Sequence, residues 1–119
     1  MEDRMQVGAW GEHRATTYLV ENGFTILARN WRFKNRHEID IVATKDDELV
    51  AIEVKTHAYP QETMPFEQVT KSKSRQITQA LEIFAKEHNA HNMPLRIDVI
   101  SIIRHPFSLE YFKSADFTL

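Results

Sequence analysis

Apolar and polar residues alternate with period two across residues 38–44 (Glu-Ile-Asp-Ile-Val-Ala-Thr) and again across 49–56 (Leu-Val-Ala-Ile-Glu-Val-Lys-Thr), and the stretch Lys45 to Glu48 between them is polar. Period two is the repeat of a strand, so the two segments predict an antiparallel hairpin. A turn centred on Asp46-Asp47 sets Asp40 opposite Glu53 and Glu38 opposite Lys55. One face of the hairpin is then apolar, with Ile39, Ile41, Val50, Ile52 and Val54. The other carries Val42 and Ala51 near the turn and the four charged groups at the open end.

The remaining elements follow from the same kind of pattern. Residues 5–22 predict a helix closed by Gly23, a residue suited to the left-handed position after a helix. Gly8, Glu12, Ala15 and Leu19 fall on one stripe, which puts a carboxylate among small and apolar residues. Gly8 and Gly11 each cost the helix about 1 kcal/mol relative to Ala, and close approach of a neighbouring backbone is a common reason to keep them. The competing reading sets Glu12 at the edge of the stripe, in solvent. Residues 24–33 predict a strand, Lys34 to Arg36 a turn, and His57 to Pro65 a loop able to flank a substrate. Residues 67–88 predict a second helix with Val69, Ile77, Ala80, Leu81 and Phe84 buried and Lys73 on the same stripe. Leu95 to Ile103 reads as a strand inside the sheet, Leu109 to Lys113 as a short last strand, and 114–119 as a tail. The order is helix, three strands, helix, strand, strand.

With 119 residues and 42% hydrophobic content, one α/β domain over residues 1–119 accounts for the chain. No apolar run approaches the roughly 18 residues of a membrane span, and the start of the chain lacks the apolar stretch of a signal peptide, so a cytoplasmic protein away from membranes is expected. Cysteine is absent, which excludes disulfides, thiolate metal sites and cysteine nucleophiles and leaves oxygen and imidazole as metal ligands. The formal net charge of −2 argues mildly against a nucleic-acid partner. Its distribution argues the other way. Arg29, Arg32, Lys34 and Arg36 gather before the hairpin, and Lys71, Lys73 and Arg75 gather at the start of the second helix. Basic ground on both sides of the carboxylates suits a phosphate backbone, with Arg32, Lys71, Lys73 and Arg75 as candidate contacts; ordinary surface charge is the other explanation.

Like charges opposite one another destabilise a strand pair, so Asp40 facing Glu53 calls for a reason. A divalent cation supplies one. Hard oxygen ligands from one or two carboxylates are the usual way Mg2+, or Mn2+ in its place, is held beside a phosphate, and Lys55 shares the face of Glu53. Asp40, Glu53 and Lys55 are therefore candidates for metal-assisted phosphodiester hydrolysis. The plain alternative is a solvated hairpin face with Glu38 and Lys55 as a cross-strand ion pair.

Gly11-Glu12, Gly23-Phe24, Asn30-Trp31-Arg32, Glu38-Ile39-Asp40-Ile41-Val42, Ile52-Glu53-Val54-Lys55-Thr56, Lys73 with Ile77, and Arg96-Ile97-Asp98-Val99-Ile100 together resemble the YraN family of endonuclease-like bacterial proteins. That family is similar in turn to the PD-(D/E)XK nuclease superfamily and to archaeal Holliday-junction resolvases. The resemblance implies a restriction-endonuclease-like αβββαβ core, a central mixed sheet flanked by helices. It implies a metal on Asp40 and Glu53, Lys55 as the catalytic lysine, Glu12 as an acid from the first helix, and Glu38 in an auxiliary place. The chain departs from the family pattern at His37, where Gly is usual, and at His57, where Arg is usual. Neither histidine has a ligand-spaced partner, so both stay outside the expected site.

The resulting expectation is a Mg2+- or Mn2+-dependent endodeoxyribonuclease acting on branched or single-strand-containing DNA. A two-fold dimer would match the symmetry of a junction. A nucleic-acid-binding module of a repair or processing complex, without catalysis of its own, is the rival reading. A purely structural protein is the third.

Overall fold

The structure is a computed structural model described over residues 3–61 and 70–113. The two alternating segments pair as expected: strands β2 (Ile39–Lys45) and β3 (Glu48–His57) run antiparallel, in register from Lys45↔Glu48 to Ile41↔Ile52. Asp46 and Asp47 both adopt positive φ, 50° and 63°, the backbone that a two-residue type I′ hairpin turn requires. The turn thus fixes the register, and the register decides which side chains meet at the far end of the hairpin.

Strand β1 (Thr25–Trp31) lines the outer edge of β2, antiparallel, with a register shift between Ile26 and Ala28. Strand β4 (Leu95–Ile103) lies parallel to β3 along its whole length, and β5 (Ser108–Phe112) closes the sheet antiparallel to β4. The strand order is β1-β2-β3-β4-β5, with the predicted inner position of β4 realised. A parallel neighbour needs a crossover, and helix α2 (Lys71–Glu87) lies in it. Helix α1 (Arg4–Glu21) covers the other face.

Each helix buries one side of the sheet. Ala15 and Leu19 of α1 pack with Ile41, Ala43, Val50, Ile52, Ile100 and Ile102, while Ile77, Ala80, Leu81 and Phe84 of α2 pack with Val42, Leu49, Ala51 and Val99. The face that carries Val42 and Ala51 near the turn is covered there by α2, and its open end is polar. Ile39 departs from the expected grouping with Ile41. Ile39 pairs with Trp31 and joins the α2-side cluster, where Trp31 meets Phe84 edge to face.

Helix boundaries follow their capping residues. Asp3 accepts a hydrogen bond from Met5 N–H at 2.8 Å, and Gly23, at φ 88°, ends α1 while Phe24 N–H returns to Leu19 O at 2.9 Å. Helix α2 starts at Lys71 rather than at 67, because the Thr70 hydroxyl caps Lys73 N–H at 3.1 Å. Val69, residues 62–65 of the expected loop and the expected tail lie outside the described residues.

The buried stripe of α1 is Val7, Gly11, Ala15 and Leu19, so Glu12 sits at its edge and Gly8 is off it. A Cβ on Gly11 would stand 2.0 Å from Thr56 Oγ1, whereas one on Gly8 would meet nothing within 4 Å. Close approach explains Gly11 alone. It seats α1 directly on β3, one residue beyond Lys55. No helix among the described residues is long and apolar enough to cross a membrane.

Candidate metal centre

Where the β2–β3 ladder reaches its last pair, Ile41↔Ile52, the side chain of the next residue takes over: Asp40 Oδ2 accepts a hydrogen bond from Val54 N–H at 2.8 Å. This anchors the Asp40 carboxylate to β3, beside the residue that follows Glu53. Glu53 is 3% exposed. Its Oε1 lies 3.1 Å from His37 Nε2, and its Oε2 is buried without a hydrogen-bond partner among the described residues.

The charges reinforce this picture. Burial, and then the negative charge of Asp40, push the Glu53 carboxyl above the ordinary range; His37 and Lys73 pull it back in part. Burial likewise raises Asp40, against the Val54 hydrogen bond and the nearby Lys55 charge. Glu12 is raised as well, by burial first and by Asp40 second, while Asn30 and Arg29 oppose the shift. Three carboxyls from α1, β2 and β3 thus share one field at the open end of the hairpin. Each gains if a cation enters.

An orphaned buried carboxylate oxygen is a costly feature, and a site that would satisfy it is the expected explanation. The donors fit a hard divalent ion: two carboxylates, with water or phosphate completing the shell. Among the described residues no three His, Asp or Glu side chains gather as a complete ligand group. A closed zinc site needs such a group, whereas Mg2+ or Mn2+, which keep much of their water, do not.

The other expected residues divide into near and far. Lys55 and Lys73 bear on the carboxylates, from β3 and from the half-buried first turn of α2. Lys71 and Arg75 stand exposed on the same helix. Arg32 is turned to Glu38 at 3.7 Å. Glu38 precedes β2, beyond the last β2–β3 pair Ile41↔Ile52, and adds negative charge next to Asp40 and Glu12.

Sequence reasoning missed three groups. His37 contacts Glu53 directly, although it was expected outside the site; it lies in the loop before β2, where no periodicity assigns a direction to a side chain. Arg29, 3.9 Å from Glu12, and Asn30, hydrogen-bonded to it, lie at the end of β1. The positive φ of Asn30, 50°, marks the departure from regular strand that turns it, and an Asn just before Trp31-Arg32 is the one sequence signal that pointed there.

Comparison with known proteins now supplies a family. The model described as uncharacterised protein family UPF0102 matches residues 11–102. A UPF0102 protein of Chlorobium phaeobacteroides is 40% identical over 102 residues, covering 86% of this chain and 80% of the relative. One from Bacteroides thetaiotaomicron is 36% identical over 117 residues, covering 97% and 95%, and one from Roseiflexus castenholzii is 38% identical over 100 residues, covering 83% and 80%. The match spans both helices, the hairpin and β4, and with them every carboxylate of the site. The chain belongs to UPF0102, the YraN family, within the PD-(D/E)XK nuclease superfamily.

Proposed function

We propose that the protein is a divalent-metal-dependent nuclease that hydrolyses phosphodiester bonds in DNA at the open end of the β2–β3 hairpin. The observation that carries this reading is the buried, unpartnered Oε2 of Glu53 next to a second raised carboxyl, Asp40. Asp40 and Glu53 would hold Mg2+ or Mn2+. Bound there, the ion would polarise the scissile phosphate and lower the pKa of a water ligand.

The chain's own groups divide the remaining work. Val54 N–H fixes the Asp40 carboxylate and His37 fixes one oxygen of Glu53, so both acids are oriented before substrate arrives. Lys55 brings a positive charge to the side where the attacked phosphate gains negative charge. Glu12, whose carboxyl is raised by burial and by Asp40, is suited to exchanging a proton with the attacking water or the leaving oxygen. Lys73, with Lys71 and Arg75 exposed beyond it, offers a basic approach for the backbone.

A second reading has one observation behind it. No complete ligand group forms among the described residues, which suits a nucleic-acid-binding module whose residual carboxylates do no chemistry. A cleavage assay separates the two: single-stranded, duplex and four-way-junction DNA with Mn2+, Mg2+ or EDTA, beside an Asp40→Asn control. The nuclease reading expects cleavage with metal that disappears in EDTA and falls at least about 100-fold in the control. Cleavage that persists in either would contradict it. DNA binding without cleavage in any condition would favour the module.

A further inference from the structure

Beyond Lys55, β3 continues to His57, and there the turn between β4 and β5 is sewn to it: Arg104 N–H donates to His57 O at 2.9 Å and His105 N–H to Ala58 O at 2.8 Å. This join gathers a run of aromatic and basic groups on the outside of the molecule. Phe107 meets Trp10 of α1 edge to face at 6.1 Å, Arg14 lies over Phe107 at 4.5 Å, and Arg104 lies over Trp10 at 5.0 Å. Tyr59 packs on the His105 ring at 5.4 Å. Phe107 is 48% and Tyr59 59% exposed.

Large rings left in water need a reason, and here they alternate with guanidinium groups. From the rings, we infer that this strip is a stacking platform for unpaired bases of a single-stranded segment of DNA. Bases stack on the exposed part of aromatic rings regardless of sequence, and the arginines that lie over Phe107 and Trp10 bring positive charge to the same strip for the backbone. A duplex does not present its base faces, so the rings add nothing to its binding. A cavity of about 280 Å3 lined by Arg4, Val7, Thr56, His57 and Ala58 lies next to the join, its lining beginning one residue past Lys55 in β3. Tyr59 is four residues from Lys55, about 13 Å of extended chain, a distance that a few nucleotides span. The inference rests on the reading of the carboxylate end as a nucleic-acid site and adds to it the form of the substrate: a junction between paired and unpaired DNA, or a single strand.

The test is binding without turnover. In EDTA, the anisotropy of a labelled oligothymidylate of about 12 nucleotides, within the range such grooves cover, is compared with that of a duplex of equal length. Phe107→Ala is expected to weaken single-strand binding about 5- to 100-fold, the loss of one base stack, and to leave duplex binding unchanged. Phe107→Tyr should restore it, and Tyr59→Ala provides an independent ring in case Phe107→Ala disturbs the turn. Unchanged single-strand affinity in both alanine variants, or an equal loss on duplex, would overturn the platform. Because no hydrolysis enters the measurement, the two readings fail separately. Selective loss of single-strand binding in a protein that cleaves nothing supports the platform and removes the nuclease. Metal-dependent cleavage beside unaltered binding in the variants does the reverse.

Discussion

At the scale of single residues, Glu53 concentrates the tension in this molecule. It is almost fully buried, one of its oxygens is tied to His37, the other has no partner among the described residues, and its neighbour Asp40 carries the same charge. The sign of the consequence is fixed. A carboxyl whose pKa is raised by folding contributes stability below its unfolded value near 4.5, and that contribution is lost as pH rises through the folded value. Metal-free protein should therefore lose stability from about pH 4.5 upward, and Glu53→Gln should be immune to this part of the loss. In EDTA at neutral pH the variant should melt roughly 2–5 °C above the parent. Saturating Mn2+ should reverse the order, since only the parent gains the ion. Melting curves from acid to neutral pH, with and without metal, would show it; a variant less stable than the parent in EDTA throughout would contradict the strain assigned to Glu53.

At the scale of elements, the site depends on how closely α1 sits on β3. Gly11 has no room for a Cβ, because Thr56 occupies that space. Gly11→Ala should push the helix off the strand, destabilise the fold by about 1–3 kcal/mol and draw Glu12 away from Asp40, whereas Gly8→Ala should be neutral or stabilising. Chemical denaturation of the two variants checks the contrast. These elements also show what was readable beforehand. The hairpin register followed from the alternation and the two-residue turn as far as Ile41↔Ile52, because register is a one-dimensional property of the chain, and Asp40 and Glu53 lie one residue beyond that last pair, each within the other's field. His37 was not readable, since it lies in a loop whose direction is set by contacts distant in sequence. The stripe of α1 was misplaced by one position, and that decided which glycine mattered.

At the scale of the whole molecule, the sheet holds two polar centres that have opposite characters. On the α1 side, Arg96 bonds both oxygens of the fully buried Asp98 at 3.1 and 3.2 Å and reaches Glu48 at 3.1 Å, while Tyr111 O–H donates to Asp98. Burial and Asp98 together hold the Tyr111 phenol far above its ordinary value, so it stays a donor. This network is satisfied, so its role is to lock β3, β4 and β5 together. Asp98→Ala should leave the Arg96 charge short of a partner and cost about 3 kcal/mol, lowering the melting temperature by roughly 10 °C, with metal affinity unchanged. The centre at Asp40 and Glu53 is the unsatisfied one, since Glu53 Oε2 is buried with no hydrogen-bond partner among the described residues, and that is where an ion belongs. Isothermal titration of the protein with Mn2+ tests this most directly. One ion per chain should bind the parent, and affinity should fall at least about 10-fold in Asp40→Asn and in Glu53→Gln, while Asp98→Ala binds like the parent. Equal Mn2+ binding by the parent and both site variants, or none by the parent, would contradict the account.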